Sequence, residues 1–186
     1  MTALFGASER PSDNVMLTTA AAVAVAMAID SLCRVRTEIK WVNDIYLGGK
    51  KICGILCESF ECGSERYVSV GIGINLYTEE FPPELSGVAD SLRPSPNIEY
   101  DLAAEIFTRL YSFWRDMPTE EIIEYYRERS LVLGKRIVYA ENGERYRASA
   151  EDIDRYGRLL VRGEDGKIKI LSSGEISLRL DDKTEV

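Results

Sequence analysis

The stretch RYVSVGIGINL, residues 66–76, limits what this chain can fold into more than any other. Val68, Val70, Ile72, Ile74 and Leu76 alternate with Tyr67, Ser69, Gly71, Gly73 and Asn75. That period of two predicts a strand with one face in a core. Glycine weakens a strand, so two on one face imply that something lies close to the backbone there. A packed helix or side chain satisfies the pattern as well as a bound ligand does. Either way the chain needs a sheet with two unlike faces.

The neighbouring residues supply that sheet. In residues 35–41, Val35, Ile39 and Trp41 alternate against Arg36, Glu38 and Lys40, as in a half-buried strand. Gly48-Gly49 between residues 45–47 and 51–60 suits a tight hairpin turn of positive φ. The arm ICGILC is apolar on both faces and reads as a central strand. Residues 14–32, behind the capping residues Ser12, Asp13 and Asn14, form a predicted helix that is apolar nearly all round and therefore buried. Its most apolar run, residues 17–29, is too short for a bilayer, so no membrane association is expected.

Residues 77–97 are rich in Pro, Glu and Ser and read as a long loop. Asp101 is expected to cap a helix to about Arg115, with Leu102, Ile106, Leu110 and Phe113 on its buried stripe. Pro118 breaks it, and residues 119–130 form a second helix. From Gly134 onward, short strands are punctuated by Asn142-Gly143, Tyr156-Gly157 and Asp165-Gly166, which predicts a small all-β barrel. The boundary is placed near Leu133, giving domains of residues 1–133 and 134–186.

Charge and composition remove several kinds of chemistry. The net charge is −8, and basic residues are scattered among carboxylates, so nucleic-acid binding is disfavoured. Glu9, Arg10 and Asp13 precede the apolar run where a signal peptide has a cationic leader, so a cytoplasmic location is expected. Cys33, Cys53, Cys57 and Cys62 lack metal-ligand spacing and read as reduced, mostly packed thiols. With no histidine, Ser-His-Asp and Cys-His catalysis are impossible. Any catalysis falls to Lys, Asp, Asn, Arg and backbone amides.

Four motifs then stand in order. They are Lys40-Trp41-Val42-Asn43-Asp44, then Lys51-Ile52-Cys53-Gly54-Ile55-Leu56 with Glu58, then Gly71-Ile72-Gly73-Ile74-Asn75, and last Gly174-Glu175-Ile176-Ser177-Leu178-Arg179. Together they resemble the biotin–protein ligase family (KWPND, KxxGIL, GxGIN and GEISLR). The resemblance implies an α+β fold: a mixed β-sheet with helices, of the class II synthetase type, followed by an SH3-like barrel. It also implies a two-step reaction, in which biotin and ATP with Mg2+ give biotinyl-AMP, and the biotinyl group then passes to a lysine of a biotin carboxyl carrier domain.

In that scheme Lys51 contacts the biotin carboxylate and the α-phosphate, and a mobile point charge suits the task. Asp44 orients, or accepts a proton from, the carrier lysine, and Asn43 touches the nucleotide. An Asn-Asp pair also forms turns, and both roles are compatible. Gly71 and Gly73 lie along biotin, while Asn75 and Gly54 meet the nucleotide side. Lys51 and Gly54 have opposite parity on a regular strand, so both face a ligand only if the chain bulges between them. Glu175 and Arg179 reach from the barrel toward the nucleotide, with Glu175 pairing Lys40; a purely structural barrel end is the competing reading. Lys50 reads as a solvated neighbour.

The chain departs from the family in several ways. It holds no GRGRxGR loop, upstream Ser/Thr segment or biotin-contacting glutamine, and Val42 replaces the motif proline. Its first residues resemble family sequence just after that loop, as in an N-terminally truncated domain. Weak ligase activity from this chain alone is therefore expected, with sheet edges open to self-association or to a complementing N-terminal half. No DNA-binding helix-turn-helix is found, so no repressor role is expected. The alternative is a non-catalytic remnant or subunit that binds nucleotide or a protein partner.

Overall fold

The computed structural model describes residues 1–6, 14–172 and 176–178. The expected caps Ser12 and Asp13 and the motif residues Glu175 and Arg179 lie outside the described residues. The first sheet holds β1 (Thr2–Gly6), β2 (Glu38–Lys40), β3 (Asp44–Leu47), β4 (Lys50–Cys62) and β5 (Glu65–Ile74). Its order is β1-β5-β4-β3-β2, so ICGILC does occupy the central strand. Every named pair is antiparallel, which corrects the expectation of a mixed sheet. Among the described residues, parallel contact is confined to two isolated bridges, Ile39 with Ser130 and Lys51 with Ala89.

Helix α1 (Asn14–Cys33) is longer than the apolar run read from sequence, and Val15–Cys33 is long and apolar enough to cross a membrane. It is instead the core helix. Ala21, Ala22, Ala24, Val25, Ala26 and Ile29 are fully buried, and the small alanines let α1 lie close to the sheet and to its neighbours. Helix α2 (Glu99–Asp116) buries Leu102, Ile106 and Leu110, and α3 (Thr119–Glu128) buries Ile122, Ile123 and Tyr126. The α2 N-cap is Ile98, with no side-chain cap bond, so Asp101 lies inside the first turn instead of capping it. There its charge still complements the helix dipole.

Helices α1 and α2 cover one face of the sheet, and α3 packs against α1 and the second sheet. Phe5 of β1 stacks on Trp114 and Phe107 of α2, and Val68, Val70 and Ile72 of β5 are buried on the same side. The other face carries Leu4 and Leu56, each 58% exposed, and an exposed Gly73. The alternation read from residues 66–76 therefore separates a packed face from an open one.

The second sheet joins β6 (Arg136–Glu141), β7 (Glu144–Ile153), β8 (Leu159–Gly163), β9 (Ile168–Leu171) and β10 (Ile176–Leu178) in the order β10-β6-β7-β8-β9. The three turn glycines read from sequence, Gly143, Gly157 and Gly166, all have positive φ. Gly157 also ties this sheet to α1 and to the residues between β2 and β3. Its carbonyl accepts the buried Trp41 indole N–H at 2.9 Å. Nearby, Arg127 of α3 pairs with Asp152 at 2.8 Å.

A Cβ added at Gly157 would lie 2.3 Å from Thr19 Oγ1 and 3.1 Å from Thr19 Cβ, at φ +79°. Gly166 has φ +77° and open space around it. Gly157→Ala is predicted to destabilise the chain by about 2–4 kcal/mol, combining backbone strain with overpacking. Gly166→Ala carries the backbone strain alone, about 1 kcal/mol. Denaturant unfolding of the two variants measures the difference, and equal losses would contradict the close contact with α1.

Candidate active site

Four cross-strand partners run in a line over the open face. Lys40 of β2 faces Asp44 of β3, Asp44 faces Gly54 of β4, and Gly54 faces Gly73 of β5. Directly opposed residues point to the same side of a sheet, so these four share one surface. Gly71 stands in the adjacent row, opposite Leu56. A side chain built at Gly71 or Gly73 would meet only backbone oxygens, at 3.6 and 3.9 Å. Of the two readings of the paired glycines, no described helix or side chain packs over them. The result is a bare strip of backbone beside two charged residues.

Lys51 joins the row because β4 is irregular. Ile45 pairs with Cys53 and Tyr46 with Lys51, so Ile52 is an extra residue between them. Both Ile52 and Cys53 consequently point into the core, each 1% exposed. The parity conflict between Lys51 and Gly54 disappears at this bulge. The Lys51 stem then crosses Gly54, with its Cε and Nζ 3.4 Å from where a Cβ would stand. Its ammonium reaches Asp44 Oδ1 at 2.6 Å.

The remaining motif residues hold this arrangement from behind. Asn43 donates its side-chain amide to Ile55 O at 2.7 Å, and its own carbonyl accepts from Ile55 N at 3.0 Å. It staples the turn that leads into Asp44. Asn75 donates its backbone N–H to Ile52 O at 2.9 Å and its side-chain amide to Asp90 O at 3.3 Å. Lys40 lies 5.9 Å from the Tyr46 ring centroid. Lys50 makes a half-exposed ion pair with Asp90 at 3.7 Å.

Sequence reasoning passed over Asp90. The segment read as a free loop runs beside β4, where Lys51 N–H donates to Val88 O and Asp90 N–H donates to Lys51 O. Both backbone groups of Lys51 are therefore fixed from this side. Hydrogen bonds to Ser91 and Arg93 hold the Asp90 carboxyl below its usual range, with the Arg93 and Lys50 charges adding to the effect. A Pro/Glu/Ser-rich stretch gives no local signal for such pairing, because its partner lies elsewhere in the chain.

A groove of about 670 Å³ also exists on the second sheet, lined by Tyr139, Arg145, Tyr146 and Lys169 among others. None of the motif residues lines it. Lys169 is paired there with Glu141, and Tyr146 donates to Glu144 at 2.6 Å. The motif residues gather instead on the open face of the first sheet, which is therefore the better candidate.

Residues 5–75 match the Biotin/lipoate A/B protein ligase family, and residues 132–179 match the Biotin protein ligase C terminal domain. The chain belongs to the biotin protein ligase family. It is 35% identical over 171 residues to the bifunctional ligase/repressor BirA of Bacillus subtilis, covering 87% of this chain and 52% of that protein. It is 31% identical over 169 residues to the biotin–[acetyl-CoA-carboxylase] ligase of Mycobacterium tuberculosis, covering 86% and 61%. The chain thus spans about half the length of the curated relatives it matches. The biotin protein ligase of Aquifex aeolicus superposes with a TM-score of 0.80 at 23% identity, over 96% of this chain and 80% of that one. The complex of that ligase with biotin and ATP gives 0.78 at 22%, over 96% and 76%. At these identities the likeness establishes the fold.

Cys53 adjoins the Lys51 bulge, and its thiol is pushed up to about 12, first by burial and then by the Asp44 charge. At pH 8 it stays protonated and is no nucleophile. Cys62 is exposed at the β4–β5 turn. Timed alkylation of the folded chain at pH 8 is predicted to label Cys62 first and Cys53 only after denaturation. Rapid labelling of Cys53 would show that the bulge opens.

Proposed function

We propose that this chain carries the catalytic wall of an ATP-dependent biotin–protein ligase. The observation that carries the reading is the placement of Lys51 and Asp44 beside the bare Gly54–Gly73 backbone. In the first step a biotin carboxylate oxygen attacks the α-phosphorus of ATP, the new P–O bond forms and pyrophosphate leaves. Both partners are anionic, so an ammonium between them lowers the repulsion and holds them in line. Lys51 is the cation at that place. The bare glycine strip lets the ring system of biotin approach the backbone closely.

In the second step a carrier lysine, as the free amine, attacks the acyl carbon and AMP leaves. The proton lost by that amine is accepted by the Asp44 carboxylate, which borders the floor. Asn43 and Asn75 serve this scheme chiefly by fixing the turn and the segment that flank Lys51. Magnesium belongs to the nucleotide phosphates, since among the described residues no cluster of three or more His, Cys, Asp or Glu could cage a metal. Glu175 and Arg179 are assigned to the nucleotide side from family position alone. The second sheet is read as an SH3-like barrel beginning after Leu133.

Weak activity is part of the reading. Lys51 is neutralised by Asp44, and a triphosphate needs more positive charge than this wall supplies. An Arg/Gly-rich segment of the kind typical of the family would add it. The same neutralisation is the one feature that favours a non-catalytic partner-binding subunit instead.

The purified chain, incubated with biotin, MgATP and an acceptor domain, is predicted to label the acceptor slowly. Adding a polypeptide that carries the Arg/Gly-rich segment is predicted to raise the rate. Lys51→Met should lower either rate by about 10²-fold. Robust labelling by the chain alone would remove the need for that segment. Labelling unaffected by Lys51→Met would remove Lys51 from the mechanism, and none under any condition would favour the binding subunit.

A further inference from the structure

The second sheet has two faces of different character. Ile137, Ala148, Ala150 and Val161 are buried on one of them. The residues that alternate with these, Arg136, Val138 and Ala140 on β6 and Arg145, Arg147 and Ser149 on β7, share the other. Cross-strand pairing sorts those six into three successive rows: Ala140 with Arg145, Val138 with Arg147, and Ser149 with Arg136. Each row holds one arginine beside one smaller side chain. Two residues of strand advance about 6.8 Å, so the three arginines are rooted in a ladder of that step.

All three arginines are exposed, and among the described residues none has a hydrogen-bonding or ionic partner for its side chain. Nearby charges are engaged. Arg162, in the row of Arg136, is held by Glu151 at 3.1 Å. The strand-end carboxylates Glu141 and Glu144 are taken by Lys169 and the Tyr146 hydroxyl. A chain of net charge −8 thus keeps a positive ladder free of its own carboxylates.

We propose that this face docks an extended acidic segment of a partner protein, with a carboxylate at every second residue. In an extended chain alternate side chains repeat at the same step of about 6.8 Å, so successive carboxylates meet Arg145, Arg147 and Arg136 in turn. Guanidinium forks suit that pairing. The small Ala140, Val138 and Ser149 leave a shallow floor on which the segment's backbone lies. Ile168, opposed to Arg162, is 53% exposed and Ile170 47%, giving apolar contact at the border. Arg145, Arg147 and Ile168 also line the groove of about 670 Å³ described above. A nucleic-acid strand fits less well. Tyr139 and Tyr146 stack on each other with Lys169 over both rings, so neither offers a free face to a base. None of the described residues assigned to the ligase site stands on this ladder.

The test is fluorescence anisotropy of the full chain with three labelled probes. One peptide alternates glutamate with valine, a second has the same residues in two blocks, and the third probe is a thymidine oligonucleotide of equal charge. The alternating peptide is expected to bind best and to weaken as salt rises. Arg136→Gln, Arg145→Gln and Arg147→Gln are each expected to weaken it about two- to fivefold, and the triple variant more than about tenfold. Arg162→Gln, whose charge is already paired, is expected to change it less than about twofold. Unchanged thermal unfolding of the variants shows that only the surface has changed.

No binding of the alternating peptide by the wild-type chain overturns the proposal. So does equal binding of the blocked peptide, or a loss with Arg162→Gln as large as with the ladder arginines, since either means unspecific charge attraction. Tighter binding of the oligonucleotide would give the face to nucleic acid. Self-association of the wild-type chain that the triple variant abolishes would give it to a second copy. Either outcome also overturns the proposal.

Discussion

Asp30 lies near the C-terminal end of α1, and its two oxygens receive donors from two other parts of the chain. Oδ1 accepts the Thr37 backbone N–H at 2.8 Å and the Thr37 hydroxyl at 2.9 Å. Oδ2 accepts the Tyr125 hydroxyl at 3.2 Å and the Arg129 guanidinium. Arg129 also donates to Thr37 O at 3.3 Å and lies over the Tyr125 ring. Asp30 and Arg129 are 13% and 14% exposed, so removing one partner strands a charge at a cost of about 3–5 kcal/mol. Burial and the Asp30 charge push the Tyr125 hydroxyl up to about 12, so it stays a donor across the physiological range.

This cluster sets where the site can form. It ties the start of β2 to α1 and α3, and the chain leaving α3 then pairs with β2 through Ile39 N–H to Arg129 O and Leu131 N–H to Ile39 O. Trp41 follows directly and is held by the second sheet through Gly157, while Tyr126 donates to Val42 O at 3.1 Å. The Trp41–Val42 peptide bond is cis. The turn at Asn43 and Asp44 is thus framed by two helices and the second sheet before any ligand is considered. The Asp44 carboxylate, on such a support, is placed by packing rather than by its own loop.

Local chemistry was legible in the sequence, and distant pairing was not. The alternation of residues 66–76 identifies the packed face of β5 correctly, because burial imposes its period on every side chain. The clash of parity between Lys51 and Gly54 pointed to the bulge, since the period is strict enough for one extra residue to show. The turn glycines were legible because positive φ selects them. By contrast, the backbone bonds of Lys51 to Val88 and Asp90 and the Trp41–Gly157 contact join residues far apart in sequence and leave no local pattern. The mixed sheet was an expectation taken from the family resemblance, and periodicity could not correct it, since strand direction depends on connections that a period of two does not encode. Asp101 was misplaced for a different reason: an acidic residue suits a helix cap and a first turn alike.

A floor made of glycine backbone has consequences for specificity. It offers shape and closeness but few side chains, so it cannot by itself distinguish one small acid from another. Discrimination on this face falls to the few groups at its border, chiefly Lys51, Asp44 and the exposed Leu56 and Leu4. Three of these four stand on β3 and β4, whose register the Ile52 bulge fixes, and Leu4 stands on β1 at the sheet edge. A rigid backbone with one adjustable cation then suits a reaction in which negative charge moves between oxygens. In the proposed ligase reaction the strands would keep the reacting atoms in line, while the lysine would follow the charge across a distance its own side chain can span.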